Sequence, residues 1–192
     1  MAVRITSNIS SSPSLRSLVP KNEISFRPVN QYDGTAIKRL YHADNLDVLN
    51  YLIKDSKVCG KVDLIYIDPP YNTGGAFETR DFIHAYDDKY STDEYIRFMQ
   101  VRLKLLHTLL SAEGSIYVHL DSNMVFHVKI LMDDIFGVKN FRGMITRKKC
   151  KSKNFTRKTY GNISDYILFY SKSDSPKCNR HYAEWCDEKI LK

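Results

Sequence analysis

The tetrapeptide Asp68-Pro69-Pro70-Tyr71 places three chemical capacities in four consecutive residues. Proline fixes φ and has no N–H, so the pair holds nearby carbonyls, that of Pro69 among them, as preset acceptors. The Asp68 carboxylate is a second acceptor, and Tyr71 offers an aromatic face. Together these suit the methylation of an amine attached to an aromatic ring. The lone pair of such an amine is delocalised and weakly nucleophilic. Two acceptors on its N–H groups orient it and favour the pyramidal, charge-developing transition state. A base inside a duplex has to be flipped out to be reached, and stacking on Tyr71 would offset part of the lost pairing. The same residue types also make an ordinary strand-ending turn with a capping aspartate, so the tetrapeptide by itself leaves both readings open.

Such chemistry needs a rigid support, and the preceding residues supply one. VDLIYI, Val62 to Ile67, is short and nearly all apolar, the pattern of a strand buried on both sides in a parallel sheet. It is expected to stop at Asp68, because proline cannot donate to a sheet ladder. Ligands of open α/β sheets bind beyond the carboxyl ends of strands, which is where the tetrapeptide then sits. Upstream, IKRLYHADN reads as a short strand ending in Asp44, and NLDVLNYLIK as a helix with Leu46, Leu49 and Ile53 on one face. Residues 72–90 lack a period and read as a long loop, in which Asp87 and Asp88 cap the next helix rather than bind metal. Ser91 and Glu94 predict a capping box. The helix they open runs through Leu110, with Tyr95, Phe98, Met99, Leu105, Leu106 and Leu109 as its apolar residues and Gly114 as its end. SIYVHL is the next strand, and MVFHVKILMDDIF a helix stopped by Gly137. FRGMITR and DYILFYSK add two strands around a charged connection. His119 and Asp121 fall at the same sheet edge as Asp68, as pocket-lining or structural hydrogen-bonding groups, whereas His107 and His127 read as ordinary helix residues. The alternation of strand and helix predicts a layered α/β sheet.

The chain of 192 residues is 43% hydrophobic and 12% aromatic, enough for one core. No apolar run approaches the roughly 18–20 residues of a membrane span, and the amino terminus lacks the apolar stretch of a secretory signal. A soluble cytoplasmic protein is therefore expected. Cys59, Cys150, Cys178 and Cys186 form no C-x-x-C pair and read as reduced thiols, and Cys178, His181 and Cys186 lack the paired spacing of a zinc site. The net charge of +7 is concentrated between Arg147 and Lys158, where Arg147, Lys148, Lys149, Lys151, Lys153, Arg157 and Lys158 occur without an acid. That run is either a solvated loop or an element that contacts phosphates.

The stretch from Tyr41 to Asp174, with YHADNLDVLNYLI, VDLIYIDPPYNTGG, YDDKYSTDEYIRFMQVRLKLLHTLLSAEGSIYVHLD and GNISDYILFYSKSD in that order, resembles the amino-terminal part of the amino-methyltransferases of restriction-modification systems. It looks most like the modification subunits of type III systems and other members with the permuted, beta-class motif order. The resemblance implies a Rossmann-like class I methyltransferase sheet, mostly parallel with helices on both faces and incomplete in this chain. A catalytic domain is expected over residues 25–175, preceded by a polar leader at 1–24 that its composition marks as disordered, and followed at 176–192 by the start of a target-recognition region or a truncated end. Asp68, Pro69, Pro70 and Tyr71 match the family's catalytic motif, and the leading aspartate favours adenine N6 over cytosine. Asp44, with Asn45 beside it, matches the position that contacts S-adenosylmethionine, and Asp68 borders the same site. Asp44 as a simple helix cap is the alternative. The basic run falls where members of the family face double-stranded DNA carrying a flipped adenine. A restriction subunit and a homodimer are the protein partners implied.

One departure matters. Beta-class members carry a glycine-rich F-x-G-x-G cofactor loop after the target-recognition region, and the eight glycines of this chain never occur as G-x-G. The loop is expected from a carboxyl-terminal continuation or from a second polypeptide. Two other functions compete: an RNA or protein amine methyltransferase, and a non-catalytic remnant that binds DNA or a partner.

Overall fold

Alternate residues of a strand face opposite sides of a sheet, and here the two sides have different fates. The computed structural model describes residues 2–4, 39–72, 76–78, 84–87, 91–150 and 161–179. Its strands are β1 (Ala2–Arg4), β2 (Val62–Ile67), β3 (Ala76–Glu78), β4 (His84–Asp87), β5 (Leu110–Leu120), β6 (Phe141–Lys148) and β7 (Ser164–Ser171). The helices are α1 (Asn45–Leu52), α2 (Thr92–Leu109) and α3 (Val125–Phe136). Five strands form one sheet in the order β1-β2-β5-β7-β6, and β3 pairs with β4 in a separate antiparallel hairpin. The β1–β2 and β2–β5 ladders are parallel, and the β5–β7 and β6–β7 ladders antiparallel.

Ile65, Ile116, Val118, Leu120, Leu168 and Tyr170 form the sheet side of the core, and buried residues of α1, α2 and α3 all join the same cluster. Burying each large apolar side chain contributes about 1.5–3 kcal/mol. The opposite face carries Leu64 and Tyr66, which are 42% and 45% exposed. Two expectations are corrected by this arrangement. Within the five-stranded sheet two ladders are parallel and two antiparallel, and the described helices pack on one face of it. β2 is therefore not buried on both sides. Its apolar run looks like a central parallel strand because sequence cannot tell a covered aromatic face from an open one.

Local chemistry accounts for the helix ends. The Ser91 hydroxyl accepts from Glu94 N–H and the Glu94 carboxylate from Ser91 N–H, the expected capping box of α2. Gly137 stops α3 with φ 87°, a backbone state that costs glycine little. The carboxylate of Asp121 accepts from the N–H groups of Asn123 and Met124 and so turns the chain from β5 into α3.

Three local expectations are revised. Residues 39–44 are not a strand; they lead into α1 without sheet pairing. Ala2–Arg4, inside the stretch expected as a polar leader, pairs with β2. The hairpin β3–β4 lies within the expected loop of residues 72–90.

Gly114 does not end α2. That helix stops at Leu109 and β5 starts at once, with Gly114 inside it. The β2–β5 register jumps from Val62 opposite Leu110 to Leu64 opposite Ser115, and Gly114 sits in the bulge. A Cβ there would lie 2.7 Å from the Val62 carbonyl oxygen and 2.9 Å from the Leu110 side chain. Gly114→Ala is expected to lower stability by about 1–3 kcal/mol. A thermal midpoint indistinguishable from that of the parent would contradict this close approach.

Candidate active site

Asp68 follows β2 directly, so its position is inherited from the central ladder of the sheet. Its side chain is 57% exposed and accepts a hydrogen bond from the Tyr71 hydroxyl at 2.5 Å. Tyr71 curls back over three residues, and Asn72 after it has φ 54°. Non-glycine residues rarely hold that conformation, and asparagine is among those that tolerate it. Burial first, then the hydrogen bond to Asp68, pushes the Tyr71 phenol far above its ordinary range. The phenol therefore stays protonated and acts as a donor.

A small open cleft lies beside this turn, lined among others by Asn45, Asp68, Pro69, Phe98, Met99 and Arg102. Asp44 is the N-cap of α1, its carboxylate accepting from Leu46 N–H at 2.8 Å. Arg102, on α2 and 4% exposed, ties the two helices together. Its Nε donates to Asn45 Oδ1 at 2.6 Å, its Nη1 to the Phe98 carbonyl at 3.1 Å, and its Nη2 lies 3.4 Å from Asp44 Oδ1. Asn45, Asp68 and Pro69 thus meet in one cleft, and Asp44 borders it through Arg102. Sequence reasoning missed Arg102. Its signal was a charged residue four positions after Phe98 on the apolar stripe of α2.

On the sheet side of the tetrapeptide stands His119, near the end of β5 and 7% exposed. Its Nδ1 is 3.4 Å from the Tyr71 hydroxyl and 3.5 Å from Asp68 Oδ1, and the two rings meet edge-on at 5.7 Å. Because β7 runs antiparallel to β5, its beginning lies beside the end of β5 and brings Asp165 near. Asp165 Oδ2 is 3.6 Å from His119 Nε2 and 3.3 Å from Arg147, and Oδ1 is 2.9 Å from Lys149. Asp165 was not anticipated at all. Arg147 and Lys149, at the start of the basic run, are therefore linked to the tetrapeptide through Asp165 and His119, and Lys148 lies between them at the end of β6. Lys151, Lys153, Arg157 and Lys158 lie outside the described residues.

The remaining candidates are placed elsewhere or not described. His107 stacks edge-on against Phe136 and meets Lys172, and His127 is exposed on α3. Cys178 is exposed, whereas Asp88, His181 and Cys186 lie outside the described residues. Among the described residues no helix is long and apolar enough to cross a membrane.

The Asp68 carboxylate, the Tyr71 ring beside it and the adjoining cleft stand together at the carboxyl end of a parallel strand. A family model described as DNA methylase matches residues 62–189, from the start of β2 onward. The chain belongs to the DNA methylase family. It is 44% identical over 154 residues to the type II methyltransferase M.EcaI of Enterobacter cloacae, covering 78% of this chain and 33% of that protein. It is 43% identical over 118 residues to the HindVI Mod subunit of Haemophilus influenzae, named as a type III restriction-modification enzyme, covering 60% of this chain and 15% of the subunit. The chain thus spans a third or less of the length of these two relatives. The solved PvuII cytosine-N4-specific DNA methyltransferase superposes with a TM-score of 0.52 at 17% identity, over 79% of this chain and 52% of that one. That superposition shows a shared class I methyltransferase fold.

Proposed function

We propose that this chain carries the amine-binding half of a DNA methyltransferase that transfers a methyl group from S-adenosylmethionine to adenine N6 in duplex DNA, within a restriction-modification system. The observation that carries the proposal is the placement of Asp68 and Pro69 in the same cleft as Asn45 and Arg102. In it, acceptors for an amine adjoin amide, guanidinium and aromatic groups suited to a polar nucleoside. Asp44, Asn45 and Asp68 would hold S-adenosylmethionine, which supplies an electrophilic methyl group when bound.

In this reading the Asp68 carboxylate and the Pro69 carbonyl each accept one N–H of the target amine and turn its lone pair toward the methyl. Tyr71 stacks on the extruded base. The transfer is direct, with no bond to the protein, and the amine's surplus proton leaves to solvent. Arg147, Lys148, Lys149, Lys151, Lys153, Arg157 and Lys158 contact phosphates beside the extruded base. A restriction subunit as partner, supported by the name of the type III relative, belongs to the same proposal, as do a second copy of the chain and a cytoplasmic location.

The test is to incubate the purified protein with tritiated methyl donor and mixed-sequence duplex DNA, then digest to nucleosides. Label in N6-methyladenine is the expected result. Label in N4-methylcytosine, or on RNA or protein in preference to DNA, would overturn the assignment of the target.

A further inference from the structure

The Tyr71 hydroxyl occupies Asp68 Oδ1 at 2.5 Å, and a target amine needs an Asp68 oxygen as acceptor. A second acceptor for that hydroxyl stands close by, since His119 Nδ1 is 3.4 Å away. An imidazole nitrogen accepts only if the proton sits on the other nitrogen. His119 Nε2 is buried and makes no hydrogen bond, and Asp165 Oδ2 faces it at 3.6 Å. A carboxylate in that position favours the Nε2–H tautomer, which leaves the Nδ1 lone pair turned toward Tyr71.

Asp165 is itself held in place. It is 4% exposed, and the Arg147 and Lys149 side chains balance its charge from β6 and the residue after it. The other groups around the imidazole are Asp68 beyond the end of β2 and Tyr66 on β2, whose ring centroid lies 6.4 Å from that of His119.

We infer that His119 is a positioning residue that takes over the hydrogen bond of the Tyr71 hydroxyl when the target amine arrives, freeing Asp68 to accept from the amine. Asp165 keeps His119 in the tautomer that can do so. The inference rests on the proposed methyl transfer for its purpose, but not for its geometry. No proton is gained or lost by the protein in the exchange: the tyrosine O–H turns from one acceptor to the other. Tyr71 can then tilt toward the base without leaving its hydroxyl unpartnered.

Two measurements test this. The first needs no activity: nitrogen-15 spectra of the imidazole report which nitrogen carries the proton. The Nε2–H tautomer is expected in the parent protein, and Asp165→Asn, whose amide can donate to Nε2, is expected to shift it to Nδ1–H. A parent protein in the Nδ1–H form would overturn the inference. The second is a double-mutant cycle on methyl transfer. His119→Ala is expected to slow turnover roughly tenfold, the scale of one hydrogen bond. In a Tyr71→Phe background, where no hydroxyl competes for Asp68, the same change is expected to cost less than about twofold. Equal losses in both backgrounds would show that His119 only fills space, and would overturn the inference. Asp165→Asn repeats the cycle without emptying the site, which guards against a poorly folded His119→Ala. If the parent transfers no methyl to DNA, the functional proposal fails, while the tautomer measurement still decides the arrangement of His119.

Discussion

Asp68→Ala is expected to cut methyl transfer by about 10²–10³-fold, the loss seen when one preorganised charge-stabilising group is removed from an active site. The reason is geometric. Pro69 still presents its carbonyl, but a single acceptor neither fixes the amine's rotation nor stabilises the charge that develops on nitrogen. Stability should change little, because the Asp68 side chain is 57% exposed and its hydrogen bond from the Tyr71 hydroxyl is a local one, three residues away in the chain. Asp68→Asn keeps one carbonyl acceptor and should fall between the parent and the alanine variant. Initial rates of tritium transfer at saturating DNA check both. A loss of less than about tenfold for Asp68→Ala would place the main acceptor elsewhere, since the effect claimed is larger than one ordinary hydrogen bond supplies.

Arg102→Ala is expected to have the largest effect on the folded state. It removes a buried guanidinium and its hydrogen bonds to Asn45 Oδ1 and the Phe98 carbonyl, while opening a void between α1 and α2. Losses of this kind cost about 2–4 kcal/mol. Because Arg102 also fixes the start of α1 beside the cleft, affinity for S-adenosylmethionine should weaken with it. Arg102→Lys should rescue little, as one ammonium cannot reproduce the forked contacts to Asn45, Phe98 and Asp44. Thermal melting and calorimetric titration of the donor read the two effects separately. A variant that melts with the parent would mean that Asn45 finds another donor, and that Arg102 is not the tie between the helices.

The amino-acid sequence by itself determined the elements whose signals are local. The capping box at Ser91 and Glu94, the stop at Gly137, and the end of β2 at a proline pair each depend on side chains within a few residues of the backbone they act on. The tetrapeptide was legible for the same reason, since its acceptors and its aromatic ring are consecutive. What only the tertiary structure decided was non-local. Whether VDLIYI is covered on one face or two depends on where helices pack, and alternation is invisible when both faces are apolar. The bulge at Gly114 arises from the β2–β5 register, so the glycine resembled a helix end. Arg102 looked like one cation among many until α1 placed Asn45 against it. Asp165 is 46 residues from His119, and only the antiparallel pairing of β7 with β5 brings the two side by side. Register and packing are properties of residues far apart in the chain, whereas caps and turns are properties of neighbours, and that difference separates what was read from what had to be seen.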